Sequence, residues 1–288
     1  MNKQRTLSAS IRGFWPLMPF FLFCLMFLIL PAGIILLGSF QDAQGHFTLN
    51  NFVNLLRPNI VSSYWVTIKL SAVSAVGGTL IGFAIAYAVH AGGLSHKVQS
   101  FILSFSGVAS NFAGVPLSFA FIATMGRMGM VTLLLKSVFG IDLYEQGFSL
   151  YSFIGLVLVY LYFQIPLMIL IIMPAIEALR VEWREAAQNL GASRLHFWFE
   201  VVIPILSPSL LSSFLLLFGN AFGAYATAYA LTGGMLNLIT ILIGSQIRGD
   251  VLHDPNLGYA LAVGMVVIMA ITTFGANYLK RKSSRWLV

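Results

Sequence analysis

Seven charged side chains are gathered between Pro174 and Pro208: Glu177, Arg180, Glu182, Arg184, Glu185, Arg194 and Glu200. Nowhere else is charge so dense. Their alternating signs suit ion pairing, either with a partner surface or among themselves, and exposed local pairs contribute only about 0.2–0.5 kcal/mol each. Hydrolytic chemistry would need other residues. A phosphate cradle requires a glycine-rich loop ending in Gly-Lys-[Ser/Thr], and none of the six lysines, Lys3, Lys69, Lys97, Lys136, Lys280 and Lys282, follows a glycine. The chain also lacks His-Glu-x-x-His, a Cys/His cluster and Gly-x-Ser-x-Gly, so zinc and serine hydrolases are excluded on motif grounds. His46, His90, His96, His196 and His253 are scattered and read as surface or interfacial residues, and Cys24 has no partner. A second set of polar groups is Asn111, Gln164 and Asn220, each inside an apolar stretch, with Tyr225 one or two turns beyond Asn220. Polar groups at bilayer depth usually face the protein interior or a water-filled route. These four therefore either line a translocation pathway or join helices by hydrogen bonds contributing about 1 kcal/mol each.

The elements that position these groups follow from composition. Hydrophobic residues make up 58% of the 288 and charged residues only 9%, against roughly 25% charged in a soluble domain. The formal charge of +7 does not point to nucleic acid, because the basic residues lie between and beyond apolar runs and form no stripe with aromatics. Crossing the hydrocarbon core takes about 20 mostly apolar residues. Six windows qualify: Phe14 to Phe40, Tyr64 to His90, Phe101 to Met125, Leu150 to Met173, Ser209 to Leu231 and Tyr259 to Leu279. The first is too long for a secretory signal core and is expected to be a retained helix after a cytoplasmic tail, 1–13. Leu236 to Ile247 is too short to cross and is expected to be an interfacial or re-entrant helix. Eleven Lys and Arg then fall on the side of both termini, while Arg57, Arg127, Lys136 and Arg248 fall on the other. By the positive-inside rule both termini are expected to be cytoplasmic. Lys69 lies about one turn inside the outer end of its window, where its stem can snorkel, a pore-facing role being the alternative. The pairs Gly78/Gly82 and Gly219/Gly223 suit close helix contact or subunit pairing.

Within 174–208 the apolar residues Ile176, Leu179, Trp183, Ala187 and Leu190 recur every three or four positions, the pattern of an amphipathic helix. Gly191 is placed to stop it in the left-handed conformation. Ser193 can cap a second short helix, expected to end near Pro204. The stretch is thus a bent helix–turn–helix on the cytoplasmic face.

Glu185-Ala186-Ala187, three residues, Gly191, nine residues and Val201-Val202-Ile203-Pro204 resemble the EAA motif, E-A-A-x3-G-x9-I-x-L-P, of permease subunits of bacterial binding-protein-dependent ABC importers. Val201 stands for the motif's Ile and Ile203 for its Leu, both apolar. The resemblance spans roughly 64–282. It implies an all-α membrane protein with the type I importer (MetI-like) permease fold, in the bacterial cytoplasmic membrane. Glu185, Ala186, Ala187, Gly191 and Pro204 would then form the coupling element that docks on an ATP-hydrolysing subunit. The implied partners are two ATP-binding subunits that hold ATP and Mg, a second permease subunit (a heterodimer favoured over a homodimer) and an external solute-binding protein. No cofactor is implied for this chain. Asn111-Phe112-Ala113-Gly114-Val115-Pro116 and Gly223-Ala224-Tyr225-Ala226-Thr227-Ala228 look most like spermidine/putrescine permeases and their relatives. One rival class is an ion-coupled secondary transporter, which would be expected to carry carboxylates or histidines within its spans, whereas no Asp or Glu falls in any window. Another is a membrane anchor or sensor that passes no solute.

Overall fold

Backbone N–H and C=O groups in hydrocarbon have no water to bond, so a spanning chain of this composition must satisfy them within helices. The computed structural model describes residues 17–248 and 253–283, without side chains at 181, 276 and 279–283. Its helices are α1 (Met18–Gly38), α2 (Pro58–Ala91), α3 (His96–Asn111), α4 (Gly114–Met125), α5 (Met130–Phe139), α6 (Phe153–Glu177), α7 (Val181–Asn189), α8 (Arg194–Phe222), α9 (Tyr225–Thr232), α10 (Ile239–Arg248) and α11 (Pro255–Ser283). Six stretches among the described residues are long and apolar enough to cross a membrane, the third being Gly114–Phe139, which joins α4 and α5. The expected tail at 1–13 lies outside the described residues, as does Arg285.

Three expectations need correction. The window from Phe101 to Met125 is not one helix, because α3 ends at Asn111 and α4 starts afresh at Gly114, whose φ of +74° no helix interior accommodates. The window from Ser209 to Leu231 is likewise divided between α8 and α9 at Gly223 and Ala224. The second helix begins at Pro58, not Tyr64, and spans 34 residues, about 50 Å at a rise of about 1.5 Å per residue. Lys69 therefore lies eleven residues in, not one turn in. It is exposed, and its Nζ sits 5.0 Å from the ring centroid of Trp65, one turn toward the helix start. That cation–π contact extends the stem along the helix surface, as snorkelling requires.

The described chain forms two units. One comprises residues up to Pro58 together with Ile243–Val267. No side chain from Leu17 to Leu37 is buried there, an exposure suited to an apolar solvent. The loop after α1 is tied by Asn51, whose Nδ2 donates to the carbonyls of Ser39 (3.0 Å) and Gln41 (2.8 Å). The other unit comprises Asn59–Leu242 and Ile268–Val288. Its core gathers Leu70, Leu117, Leu156, Tyr160, Phe163 and Leu231 from four helices. Between Thr67 and Ala86 every buried residue of α2 except Leu70 is small. A Cβ on Gly82 would lie 2.6 Å from Cβ of Met168 and 2.9 Å from the Ile165 carbonyl, and one on Gly78 would meet Gln164 and Leu217. The Gly78/Gly82 pair thus permits the close contact between α2 and α6 expected from its spacing.

Prolines account for two irregular turns. Pro31 and Pro204 each follow by two residues a π-helical segment, Leu25–Ile29 and Trp198–Val202. There Leu30 N donates to Leu25 O, and Ile203 N to Trp198 O. A proline ring collides with the carbonyl four residues earlier, and the wider turn relieves this without ending the helix. Pro204 consequently does not terminate the loop's second helix. The chain runs from Arg194 through the π turn to Phe222 as one element.

Candidate functional site: two broken helices and a bent charged loop

Each break exposes backbone groups that the membrane interior cannot hydrate, and side chains of neighbouring helices answer them. Gly114 N, the first amide of α4, donates to Oγ1 of Thr227 on α9 at 2.8 Å. Ser118 Oγ, one turn on, donates to the Thr227 carbonyl at 2.9 Å. The Ala224 carbonyl, stranded between α8 and α9, accepts from Tyr160 OH of α6 at 2.9 Å. A Cβ at Gly114 would meet only ordinary contacts, so the positive φ, not crowding, calls for glycine here. The two segments that resemble polyamine permeases are thereby bound face to face at their breaks.

The expected pathway residues separate into two groups. Asn111 is exposed at the last position of α3, with Nδ2 bonded to its own helix at Gly107 O (2.8 Å), and Asn220 is exposed near the end of α8. Tyr225 starts α9 half-buried, its ring stacked on that of Tyr229 at 5.4 Å. All three stand beside the breaks. Gln164 does not join them. It is 0% exposed, and its Nε2 donates to Ser74 Oγ of α2 at 2.8 Å, the helix-joining role. Of the two expected alternatives, the side chain sealed between α2 and α6 takes the helix-joining one in this structure.

In the charged loop, α6 carries through Pro174 to Glu177, so the fully buried Ile176 belongs to that helix, and the amphipathic helix starts only at Val181, past the expected Ile176 and Leu179. It ends as expected. Gly191 has φ +79°, with Gly191 N bonded to Gln188 O (2.9 Å) and Ala192 N to Ala187 O (2.9 Å), the pattern of a Schellman-type stop. Ser193 Oγ then accepts from His196 N (3.2 Å) and starts α8. Glu185 and Ala186 are exposed, Ala187 is half-buried, and Pro204 is exposed. Leu190, Leu195 and Phe199 are 88%, 71% and 65% exposed. Trp198 anchors the bend to α2 through edge-on contacts with Tyr87 (4.5 Å) and Phe83 (6.2 Å).

Beyond α5, Asp142 accepts from Lys136 Nζ at 2.7 Å and from the Tyr144 and Glu145 amides. The Lys136 hydrogen bond, then the Glu145 amide, holds its carboxyl below the usual aspartate value.

Thr227, Ser118, Tyr160 and Trp198 escaped the sequence reading as functional positions. Thr227 lies within the Gly223 to Ala228 segment, whereas Tyr160 and Trp198 are single aromatics in aromatic-rich runs, and nothing in their spacing sets them apart.

An all-helical, polytopic chain with paired helix breaks and one exposed, bent, charged loop is built as a membrane transport subunit. The comparisons specify which kind. Residues 78–285 match the family described as binding-protein-dependent transport system inner membrane component, and the chain belongs to that family. It is 26% identical to the spermidine/putrescine transport system permease protein PotB of Haemophilus influenzae over 95% of this chain and 93% of that one. It is 24% identical to the sulfate transport system permease protein CysT of Salmonella typhimurium, over 90% and 91%. With the molybdenum transport system permease protein ModB of Mycobacterium bovis it shares 24% identity, over 76% and 80%. In fold it is similar to a chain of a bacterial alginate ABC transporter in complex with an alginate pentasaccharide-bound periplasmic protein, with a TM-score of 0.76, 14% identity and 98% of both chains covered. It is also similar to a chain of the MetNI methionine ABC transporter, with a TM-score of 0.56, 14% identity, and 77% and 95% covered. The protein is a multi-pass inner membrane permease subunit of a binding-protein-dependent ABC importer.

Proposed function

We propose that this permease moves a small organic cation of the polyamine type, driven by two separate ATP-binding subunits that hold ATP and Mg and dock on α7 from the cytoplasm. A second, different permease subunit completes the route, and an external solute-binding protein delivers the cargo. The observation that carries the reading is the bent element from Val181 to Val202. It leaves Glu185, Ala186, Leu190, Leu195 and Phe199 exposed, yet is rigidly stopped at Gly191 and joined without interruption to α8. Exposed apolar side chains beside a carboxylate suit a protein partner, with Glu185 available for a charge-assisted bond. The small side chains of Ala186 and Ala187 favour close approach. Continuity with α8 supports transmission, because displacement of the loop moves the helix that ends at the second break. Both termini and the loop then face the cytoplasm, in line with the basic-residue asymmetry.

For the cargo, the support is chemical. No carboxylate falls in the six apolar windows, but the stacked rings of Tyr225 and Tyr229 lie beside the break, and aromatic faces attract organic cations. The exposed amides of Asn111 and Asn220 offer carbonyl oxygens as acceptors. The spermidine/putrescine permease among its relatives fits this choice, while the sulfate and molybdenum permeases supply the competitors.

The test is uptake into proteoliposomes holding the whole complex and its binding protein. ATP-dependent accumulation of labelled putrescine or spermidine, but not sulfate or molybdate, is expected, and Glu185→Arg or Gly191→Pro abolishes it. Uptake that needs no ATP and survives both substitutions overturns the coupling reading, and sulfate or molybdate uptake alone overturns the cargo.

A further inference from the structure

On the side of the bend facing the end of α2 lies a cavity of about 350 Å³ lined by Tyr87, Arg184, Gln188, Ser193, Arg194 and Trp198, among others. No acidic residue lines it. Neither arginine has an ion-pair partner among the described residues, whose ion pairs involve only Asp42, Asp142 and Glu145 as acids. Two arginines without an ion-pair partner among the described residues, a glutamine and a serine thus line one concavity together with three aromatic residues, Tyr87, Phe197 and Trp198. A second cavity at the bend shares Ala192, Ser193 and Phe197 with the first but is different in kind. It contains Glu200, Leu190 and His196 and no arginine.

We infer that the Arg184/Arg194 cavity binds the phosphodiester headgroup of an anionic phospholipid of the inner leaflet. The inference rests on the cytoplasmic placement of the loop proposed above. Guanidinium groups bind phosphate oxygens in a bidentate fork, and each such charge-assisted bond is stronger than a neutral one. Gln188 and Ser193 add donors; the Ser193 oxygen already accepts from His196 N, which leaves its proton free to donate. Tyr and Trp are the residues enriched at headgroup level, and basic pockets between helices on the cytoplasmic side suit acidic lipid headgroups. The Trp198 contacts with Tyr87 and Phe83 tie the cavity wall to the membrane helix α2. A lipid seated here touches the bend from the membrane side and leaves the Glu200 side for the ATP-binding subunit, so the bend responds to both leaflet composition and nucleotide.

The test uses the assembled complex in nanodiscs of phosphatidylcholine with and without 30% phosphatidylglycerol. Native mass spectrometry is expected to find phosphatidylglycerol retained after detergent release by the wild type and lost at least tenfold from R184Q/R194Q. R184K/R194K should retain an intermediate amount, since lysine keeps the charge without the fork. This readout needs neither transport nor a known cargo, so it stands or falls separately from the polyamine assignment. Equal lipid retention by wild type and R184Q/R194Q overturns the site. Loss of the ATP-binding subunits from R184Q/R194Q with lipid retention unchanged also overturns it, and assigns the arginines to protein docking. Inorganic phosphate that displaces the retained lipid at millimolar concentration reassigns the cavity to a soluble anion. Phosphate without effect supports the lipid.

Discussion

Replacing Thr227 with valine tests whether the two broken helices hold each other. Thr227 is 3% exposed, and valine matches its shape, so the change opens no cavity and removes one acceptor. The Gly114 amide, 2.8 Å from that oxygen, then begins α4 without a partner. A donor stripped of its bond and shielded from water costs about 1–3 kcal/mol, and the upper part of that range applies where the surroundings are apolar. The Ser118 bond to the Thr227 carbonyl survives, because it uses the backbone. For a chain of this size each kcal/mol corresponds to about 2–4 °C in melting midpoint. The expected drop for Thr227→Val is therefore roughly 4–12 °C, read by fluorescence-detected thermal denaturation of the purified complex. Thr227→Ser keeps the hydroxyl and loses only a methyl, so its midpoint should lie between valine and wild type. A valine variant that melts with the wild type while the serine variant melts lower would refute the argument, since packing and not the Gly114 bond would then govern the crossing.

Gly82→Ala should lower the melting midpoint by several degrees, because its Cβ would fall 2.6 Å from Met168 Cβ and 2.9 Å from a backbone carbonyl, and overpacking costs about 1–3 kcal/mol. Gly107→Ala, where nothing lies within 4 Å, is the control and should be neutral or gain up to about 1 kcal/mol in helix propensity. At Gly191, φ +79° with open space around it means that alanine adds strain of about 1–2 kcal/mol; transport per ATP hydrolysed should fall, and Gly191→Asn should recover part of it. The Asp142 carboxyl is held below its ordinary value of 3.8, so its contribution to ordering the loop after α5 is full above that pH and is lost as pH falls through the lower folded value. Limited proteolysis of this loop should be flat from pH 7 to 5 and rise below 3.8, whereas Asp142→Asn should be cleaved faster at neutral pH and lose that acid step.

Much of this molecule was legible as sequence, because hydropathy and charge act locally. Six apolar stretches had to be helices in a solvent without hydrogen-bond partners, the short Leu236 to Ile247 run had to fall short of a crossing, and Gly191 had to end its helix since the following hydrogen bonds demand a left-handed residue. The EAA-like spacing carried the family for the same reason: it records a local bend. What hydropathy averages away is where a helix breaks. Asn111 to Pro116 and Gly223 to Ala228 carry no charge and average into the apolar runs around them, and only the structure, by setting Thr227 against Gly114 and Tyr160 against Ala224, makes breaks there affordable. Burial is likewise a pairwise property. Gln164 and Asn220 read alike along the chain, yet one is sealed against Ser74 and the other is exposed, since which face of a helix meets a neighbour depends on the neighbour. The cavity between Arg184 and Arg194 arises from the same cause, the return of the bend onto Tyr87 about a hundred residues earlier in the chain.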